Sequence, residues 1–120
     1  MIRHKNVQDR MHKEIEDVVG HGRLPNMSDK PTLPYSEAVV HEALRLGNIV
    51  PFGVPYYVTE DFVCKGYKFP KDAVVFASLD SALSSEELFP DSHKFFSERF
   101  IDKAGNLCGQ DKVLAFSAGM

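Results

Sequence analysis

The hydrophobic pattern of this 120-residue chain changes its period once, close to Pro51. Before that proline, two segments repeat apolar residues at the helical steps of three and four. After it, short runs rich in Val, Tyr and Phe are separated by turn residues, which is typical of small β-strands. The pattern therefore predicts an α+β arrangement, with two helices followed by a minor sheet.

The first helix is marked by an apolar stripe that stops at Gly20, and glycine commonly follows the last residue of a helix. The stripe consists of Val7, Met11, Ile15, Val18 and Val19. The next segment, residues 21–34, is dense in Gly, Pro, Asn, Ser and Asp, and this composition predicts a loop.

The second helix is predicted from about Pro34 to Leu46, because proline is tolerated in a first turn and Gly47-Asn48 then stops the helix. A helical wheel places the apolar residues on one side: Tyr35, Val39, Val40, Ala43, Leu44 and Leu46. It places Glu37, His41 and Arg45 on the other side, and Glu42 on the border between the two.

The β-like runs read "VPYYV", "DFVC", "GYKFP" and "AVVFASL". They are too few and too short to close a barrel, so we expect some of them to pair with strands outside the chain. The stretch "SSEELF", residues 84–89, predicts a short helical turn because a serine N-cap precedes acidic residues. The segment from Pro90 onward is predicted to be irregular.

Composition narrows the possible classes of protein. A net charge of −3 and a pI near 5.9 disfavour a nucleic-acid-binding protein. No apolar run approaches the roughly 18 residues that span a bilayer, and the polar start "MIRHKNVQDR" is not typical of a signal peptide. The length fits one domain. The two cysteines, Cys64 and Cys108, and the five scattered histidines lack the spacing of a zinc site, so we expect no metal ligand among them.

An E-x-x-R sequence, Glu42 to Arg45, lies on the second predicted helix. This spacing brings a carboxylate and a guanidinium within pairing distance, which in most helices is a surface ion pair worth about 0.2–0.5 kcal/mol. A second arginine, Arg99, lies among aromatic residues in "FFSERF". We expect its guanidinium to point inward to Glu42; the alternative is that the phenylalanines form the core while Arg99 points to water.

Together these segments resemble the cytochrome P-450 family of haem-thiolate monooxygenases, over nearly the whole chain. Residues 7–55 resemble the stretch from the J helix through the K helix, with E-x-x-R as the K-helix signature. "FFSERF" resembles the P-E-R-F element, with Ser97 in place of proline, "KAGN" falls in the meander, and "FSAG" opens the signature F-x-x-G-x-R-x-C-x-G. The amino-acid sequence of these segments is most similar to the microsomal animal branch that oxidises drugs, steroids and fatty acids.

The resemblance implies a mainly helical fold with small β-sheets, of which residues 1–120 form one partial domain carrying the J and K helices, the minor sheet and the meander. It implies a haem cofactor, and insertion of one oxygen atom of O2 into a small lipophilic substrate. Electrons would come from NADPH through a flavoprotein reductase. The parent protein would lie on the cytoplasmic face of the endoplasmic reticulum, held by an N-terminal anchor that this chain lacks.

The resemblance also assigns roles to residues. It implies a structural triad of Glu42, Arg45 and Arg99; haem contacts from Phe116 and Gly119; and pocket-lining residues Val50, Phe52, Gly53 and Val54, for which plain strand packing is the alternative. Tyr56 stands where the branch usually has His or Arg for a haem propionate, and its phenol offers a hydrogen bond without charge. No catalytic residue or metal ligand is assigned, because the ligand cysteine is expected three residues beyond Met120.

Three interpretations remain open at this point. In the first, the chain is part of a working enzyme. In the second, it is an inactive truncated product that persists as an inert or partner-binding piece, and in the third it is an unrelated α+β binding domain. On the first reading, we expect the isolated chain to be catalytically inactive and poorly folded, since its apolar stripes lack cover.

Overall fold

The computed structural model describes residues 3–115 of the chain, and its first helix, α1, spans Lys5–Val19. Gly20 ends α1 with φ at 75°, and its N–H donates to the carbonyl of Glu16 at 3.0 Å. The predicted helix and its glycine terminator are thus confirmed. Val7, the buried member of the stripe, packs against Tyr35 and Val39 of the next helix.

The predicted loop contains a short 3₁₀ helix, Met27–Thr32, that composition alone did not indicate. Asn26 and Asp29 form a capping box at its start. The Asp29 carboxylate accepts from the N–H of Asn26 at 2.9 Å, and the Asn26 side-chain oxygen accepts from the N–H of Ser28 at 2.9 Å. Arg23 adds two hydrogen bonds to the Asp29 carboxylate, both at 2.7 Å. This folded connection sets the separation between α1 and the second helix.

The second helix, α2, spans Pro34–Gly47 and ends at Asn48, which adopts the left-handed conformation with φ at 36°. Its bounds agree with the prediction, but its buried face does not. The buried residues are Tyr35, Ala38, Val39, Glu42 and Arg45. Val40, Ala43 and Leu46, assigned to the apolar side, are exposed instead.

The wheel was wrong because it assumed an apolar partner for α2. The helix packs instead on the segment around the 3₁₀ helix Ser97–Phe100, whose backbone offers N–H and C=O groups. A charged pair can form hydrogen bonds with both kinds of backbone group, and buried polar backbone groups require such partners. Phe100 supplies the apolar part of this contact, packed on Ala38 and Phe89.

Four short strands follow α2: β1 Tyr56–Tyr57, β2 Phe62–Cys64, β3 Tyr67–Phe69 and β4 Val74–Val75. They form two antiparallel pairs, β1 with β4 and β2 with β3. The β2–β3 hairpin turns at Lys65 and Gly66, both with positive φ, as in the mirror-image turns that suit strand twist. All four strands therefore find partners within the chain.

A third helix, α3, spans Leu79–Leu83. Its first residue ends a run that the pattern predicts to be a strand, and no element is predicted for residues 80–83. Ser78 caps it by accepting from the N–H of Ser81, and the i, i+4 pair of leucines is buried. The helical turn predicted at residues 84–89 is a hydrogen-bonded turn rather than a helix. The serine cap was the right signal, but it lies six residues earlier than expected.

Beyond the turns lie the 3₁₀ helix Ser97–Phe100, a bridge between Ile101 and Leu107, and a last 3₁₀ helix, Gln110–Lys112. The architecture of residues 3–115 is thus helices with small antiparallel sheets. Among these residues, no helix is both long enough and apolar enough to cross a membrane.

Candidate functional site

The centre of the candidate site is the carboxylate of Glu42, which is completely buried in the middle of α2. Arg45, one turn later, donates from Nε to Oε2 at 2.8 Å and from Nη2 to Oε1 at 2.9 Å. This two-pronged contact matches the planar fork of guanidinium to the planar carboxylate. The E-x-x-R sequence is therefore a buried bidentate pair and not a surface ion pair.

Arg99 reaches the same carboxylate from the other side of the interface. Its Nε lies 3.3 Å from Oε1 of Glu42, and the backbone N–H of Phe96 donates to that oxygen at 2.9 Å. The Arg99 side chain is 8% exposed. The structure therefore brings Glu42, Arg45 and Arg99 into one cluster, with the carboxylate shared between α2 and the 94–100 segment.

The guanidinium of Arg45 also donates to backbone carbonyl groups through its two terminal nitrogens. Arg45 donates to the carbonyl of Leu83 at 2.9 Å and to that of Lys94 at 3.4 Å, with its guanidinium 5.2 Å from the ring centre of Phe89. These bonds join α2 to the end of α3 and to the irregular segment. The Glu42 carboxylate thus accepts from two guanidinium groups and one backbone N–H, and contacts of this kind join segments of the chain.

Two further carboxylates, those of Glu14 and Glu98, join distant segments of the chain, and sequence reasoning missed both. Glu14 of α1 accepts from the N–H groups of Tyr35 and Ser36, at 2.8 and 2.7 Å, and so caps the start of α2. Glu98 accepts from Arg10 at 3.1 Å. Both contacts join residues far apart in sequence, and no local pattern indicates such partners.

A third missed carboxylate belongs to Glu86, in the turn after α3. It accepts from the N–H groups of Asp91 and Ser92 at 2.9 and 3.0 Å, and from the Ser92 hydroxyl at 2.7 Å. These bonds, the Ser92 hydroxyl first among them, lower the pKa of Glu86. The spacing E-x4-D-S is not a motif that predicts these hydrogen bonds.

The four residues assigned to a pocket lie in the extended segment between α2 and β1. Phe52 and Val54 are 62% and 63% exposed, Val50 is at the margin of exposure, and Gly53 is buried. The N–H of Gly53 donates to the carbonyl of Ala77 at 3.0 Å, and Phe52 forms a bridge with Ser78. The segment is thus fixed through its backbone while it presents apolar side chains outward.

The other assigned positions are less informative. Tyr56 lies in β1, opposite Val75, with 39% of its surface exposed. Phe116 and Gly119 lie outside the described residues. Cys64 is an exposed free thiol and Cys108 a half-buried one. Within residues 3–115, no three His, Cys, Asp or Glu side chains are grouped so as to hold a metal ion.

Comparison with known proteins gives a consistent result over the whole chain. A model of the cytochrome P-450 family matches residues 1–120. The chain is 40% identical over 119 residues to cytochrome P-450 2D6 of Pan paniscus, 38% to cytochrome P-450 2E1 of Oryctolagus cuniculus and 40% to cytochrome P-450 2B4 of Oryctolagus cuniculus. Each match covers 99% of this chain and 24% of the relative, so the chain spans about a quarter of the length of these relatives.

Proposed function

The chain belongs to the cytochrome P-450 family, and on that premise we propose that it is the part of a haem-thiolate monooxygenase that braces the haem-binding segment against the helical body. In this proposal α1 and α2 correspond to the J and K helices, and residues 90–115 to the meander. The buried bidentate contact of Glu42 with Arg45, extended to Arg99, is the observation that carries the proposal.

The brace has a defined mechanical basis. The segment 90–100 has little regular structure of its own, and its position depends on donors and acceptors supplied by α2. Removing one member of a buried ion pair leaves an uncompensated charge and costs about 3–5 kcal/mol, so the network resists any local displacement of that segment. In this role Glu42, Arg45 and Arg99 position other residues and do not take part in the chemistry.

The chemistry of the described residues suits one edge of a haem. The segment 50–56 presents apolar side chains, which suit a porphyrin and a lipophilic substrate, and the phenol of Tyr56 is able to donate a hydrogen bond to a propionate. The family resemblance also assigns haem contacts to Phe116 and Gly119, which lie outside the described residues. Haem, once bound, supplies the activation of O2; this chain's residues supply its position and an apolar surface beside it.

The substrate we propose is a small lipophilic molecule that gains one oxygen atom from O2. The exposed Phe52 and Val54 are the residues that would contact it, because apolar side chains gain most from meeting an apolar partner. We further propose that electrons come from NADPH through a flavoprotein reductase at the endoplasmic reticulum membrane.

The function is tested with the protein that contains this chain at its full length. Expressed with haem, it should bind one haem per chain, give the carbon monoxide spectrum of a thiolate-ligated iron, and oxidise a lipophilic probe when NADPH and reductase are added. A protein that binds no haem would refute the proposal and favour the alternative, an inactive or partner-binding product. Turnover by residues 1–120 alone would contradict the expectation that this piece has no activity.

A further inference from the structure

A second layer of contacts lies behind Arg99, on the side away from Glu42. The two terminal nitrogens of the Arg99 guanidinium donate to the carbonyl of Pro90 at 2.8 Å and to that of Asp91 at 3.4 Å. These carbonyls belong to an exposed turn rather than to a helix or strand. The orientation of the arginine therefore depends on how firmly that turn is held.

The turn is held mainly by Glu86. One carboxylate oxygen accepts from the N–H of Asp91, and the other accepts from both the N–H and the hydroxyl of Ser92. Ser92 is 1% exposed, so its hydroxyl has little access to water as a substitute partner. The carboxylate thus fixes two consecutive peptide units from the outside.

The backbone between these contacts needs such support. Asp91 adopts a φ of 55°, in the left-handed region that residues other than glycine seldom occupy. A conformation of this kind costs free energy of order 1 kcal/mol and persists only where surrounding contacts enforce it. The three hydrogen bonds that Glu86 accepts, together with the ion pair of Lys94 and Asp91 at 2.7 Å, are contacts that do so.

We propose that Glu86 is a positioning residue: its carboxylate holds the backbone at residues 91 and 92 so that the carbonyls of Pro90 and Asp91 receive the guanidinium of Arg99. The chain of contacts runs from Glu86 through the turn to Arg99 and on to Glu42. This inference rests on the proposed function for its biological meaning, since the segment so fixed is the one expected to support the haem.

The test is a double-mutant cycle on the purified full-length protein, read by amide hydrogen exchange of residues 94–101. In Glu86→Gln, exchange there should accelerate by about tenfold, because a charged acceptor of three hydrogen bonds is lost. In the Arg99→Gln background the same substitution should add less than about twofold, since the two residues then act on one contact. Glu87→Gln, which removes the same charge from the exposed neighbouring position, should leave exchange unchanged.

Three results would overturn the inference. Multiplicative effects of the two substitutions would show that Glu86 stabilises only its own turn. An equal effect of Glu87→Gln would show a general effect of charge, and unchanged exchange in Glu86→Gln would show that the turn holds itself. If Glu86→Gln fails to fold, Ser92→Ala, which removes only the hydroxyl donor, serves in the same cycle and should give a smaller acceleration with the same dependence on Arg99.

The exchange measurement also separates this inference from the proposed function. Amide exchange requires no bound haem, so the double-mutant cycle can be interpreted even if the protein lacks haem. In haem-loaded protein, the fraction of thiolate-ligated carbon monoxide complex should fall in Glu86→Gln and stay constant in Glu87→Gln. If the effects of the two substitutions depend on each other but the protein binds no haem, the proposed function alone is rejected. If the protein binds haem but the two effects are independent, the inference alone is rejected.

Discussion

Glu14 and Ser36 are joined by two hydrogen bonds to a single carboxylate oxygen, from the backbone N–H and from the hydroxyl, each at 2.7 Å. The other oxygen accepts from the N–H of Tyr35 at 2.8 Å. The first N–H groups of a helix have no partner within the helix. Here a residue of α1 satisfies those of α2, so the start of the second helix is capped by the first.

We predict that Glu14→Ala lowers the free energy of unfolding by about 0.5–2 kcal/mol, the usual cost of removing a helix cap. The measurement is urea unfolding of the full-length protein. Asp17→Ala is the matched control, because it removes a carboxylate from the exposed face of the same helix, where the pair with Lys13 is worth at most about 1 kcal/mol. Equal losses for the two variants would contradict the cap.

We predict a larger loss for Glu42→Gln, of about 3–5 kcal/mol, because two guanidinium groups then lack their carboxylate in a buried site. Exchange of the Phe96 amide, which donates to the same carboxylate, should accelerate in this variant. Glu60→Gln at an exposed position is the control and should change stability by less than about 0.5 kcal/mol. A Glu42→Gln protein as stable as the control would show that the cluster does not brace the segment.

Sequence periodicity predicted both long helices and their ends, because those depend on local signals: the stripe from Val7, and Gly20 and Asn48 as terminators. It did not predict which face of α2 is buried. That face is set by the polar backbone of the 94–100 segment, which lies some fifty residues later and selects a charged pair over the apolar side chain of Leu46. Local patterns carry no information about such a partner.

The candidate site likewise contains residues that the sequence predicted and residues that it did not. Glu42, Arg45 and Arg99 were identified through residue type, spacing and family resemblance, and the structure brings them together. Glu14 and Glu86 were missed, because each binds backbone N–H groups, and any sequence supplies those groups. The α3 helix was missed, because its first residue, Leu79, continues the Val-rich run before it and no element was predicted for residues 80–83. The deciding feature was the hydrogen bond at the Ser78 cap.

We predict a pH-dependent contribution to stability from Asp29. The Arg23 guanidinium, which donates to both carboxylate oxygens, and the N–H of Asn26 lower the pKa of Asp29 from 3.8 to about 2. Since the folded pKa is below the unfolded one, the contribution is fully present above pH 3.8 and is lost as the pH falls towards 2.

This titration can be followed by carboxyl carbon NMR of Asp29. Arg23→Met should bring the pKa back towards its ordinary value, because the largest cause of the shift is removed. Lys30→Met, a nearby cation that pairs with Glu37 instead, is the control and should leave the pKa of Asp29 low. A wild-type Asp29 that titrates near 3.8 would show that the Arg23 contact does not persist in solution.

The last prediction separates a substrate-contacting role of Phe52 from plain strand packing. The Phe52 side chain is largely exposed in this chain, and its backbone bridge to Ser78 does not depend on the ring. If the ring meets substrate, Phe52→Ala in the full-length protein should weaken binding of a lipophilic substrate by about tenfold, the effect of losing a contact worth roughly 1.5 kcal/mol. The haem spectrum and the free energy of unfolding should stay close to those of the wild type.

Leu24→Ala is the matched control, because Leu24 is an even more exposed apolar residue in the loop before α2. It should leave substrate affinity unchanged, as measured by titration of the haem spectrum with a lipophilic ligand. If Phe52→Ala instead lowers the free energy of unfolding by several kcal/mol while affinity per folded protein is unaltered, the ring is part of the core of the full-length protein. In that case strand packing accounts for residues 50–54, and the substrate must meet other residues.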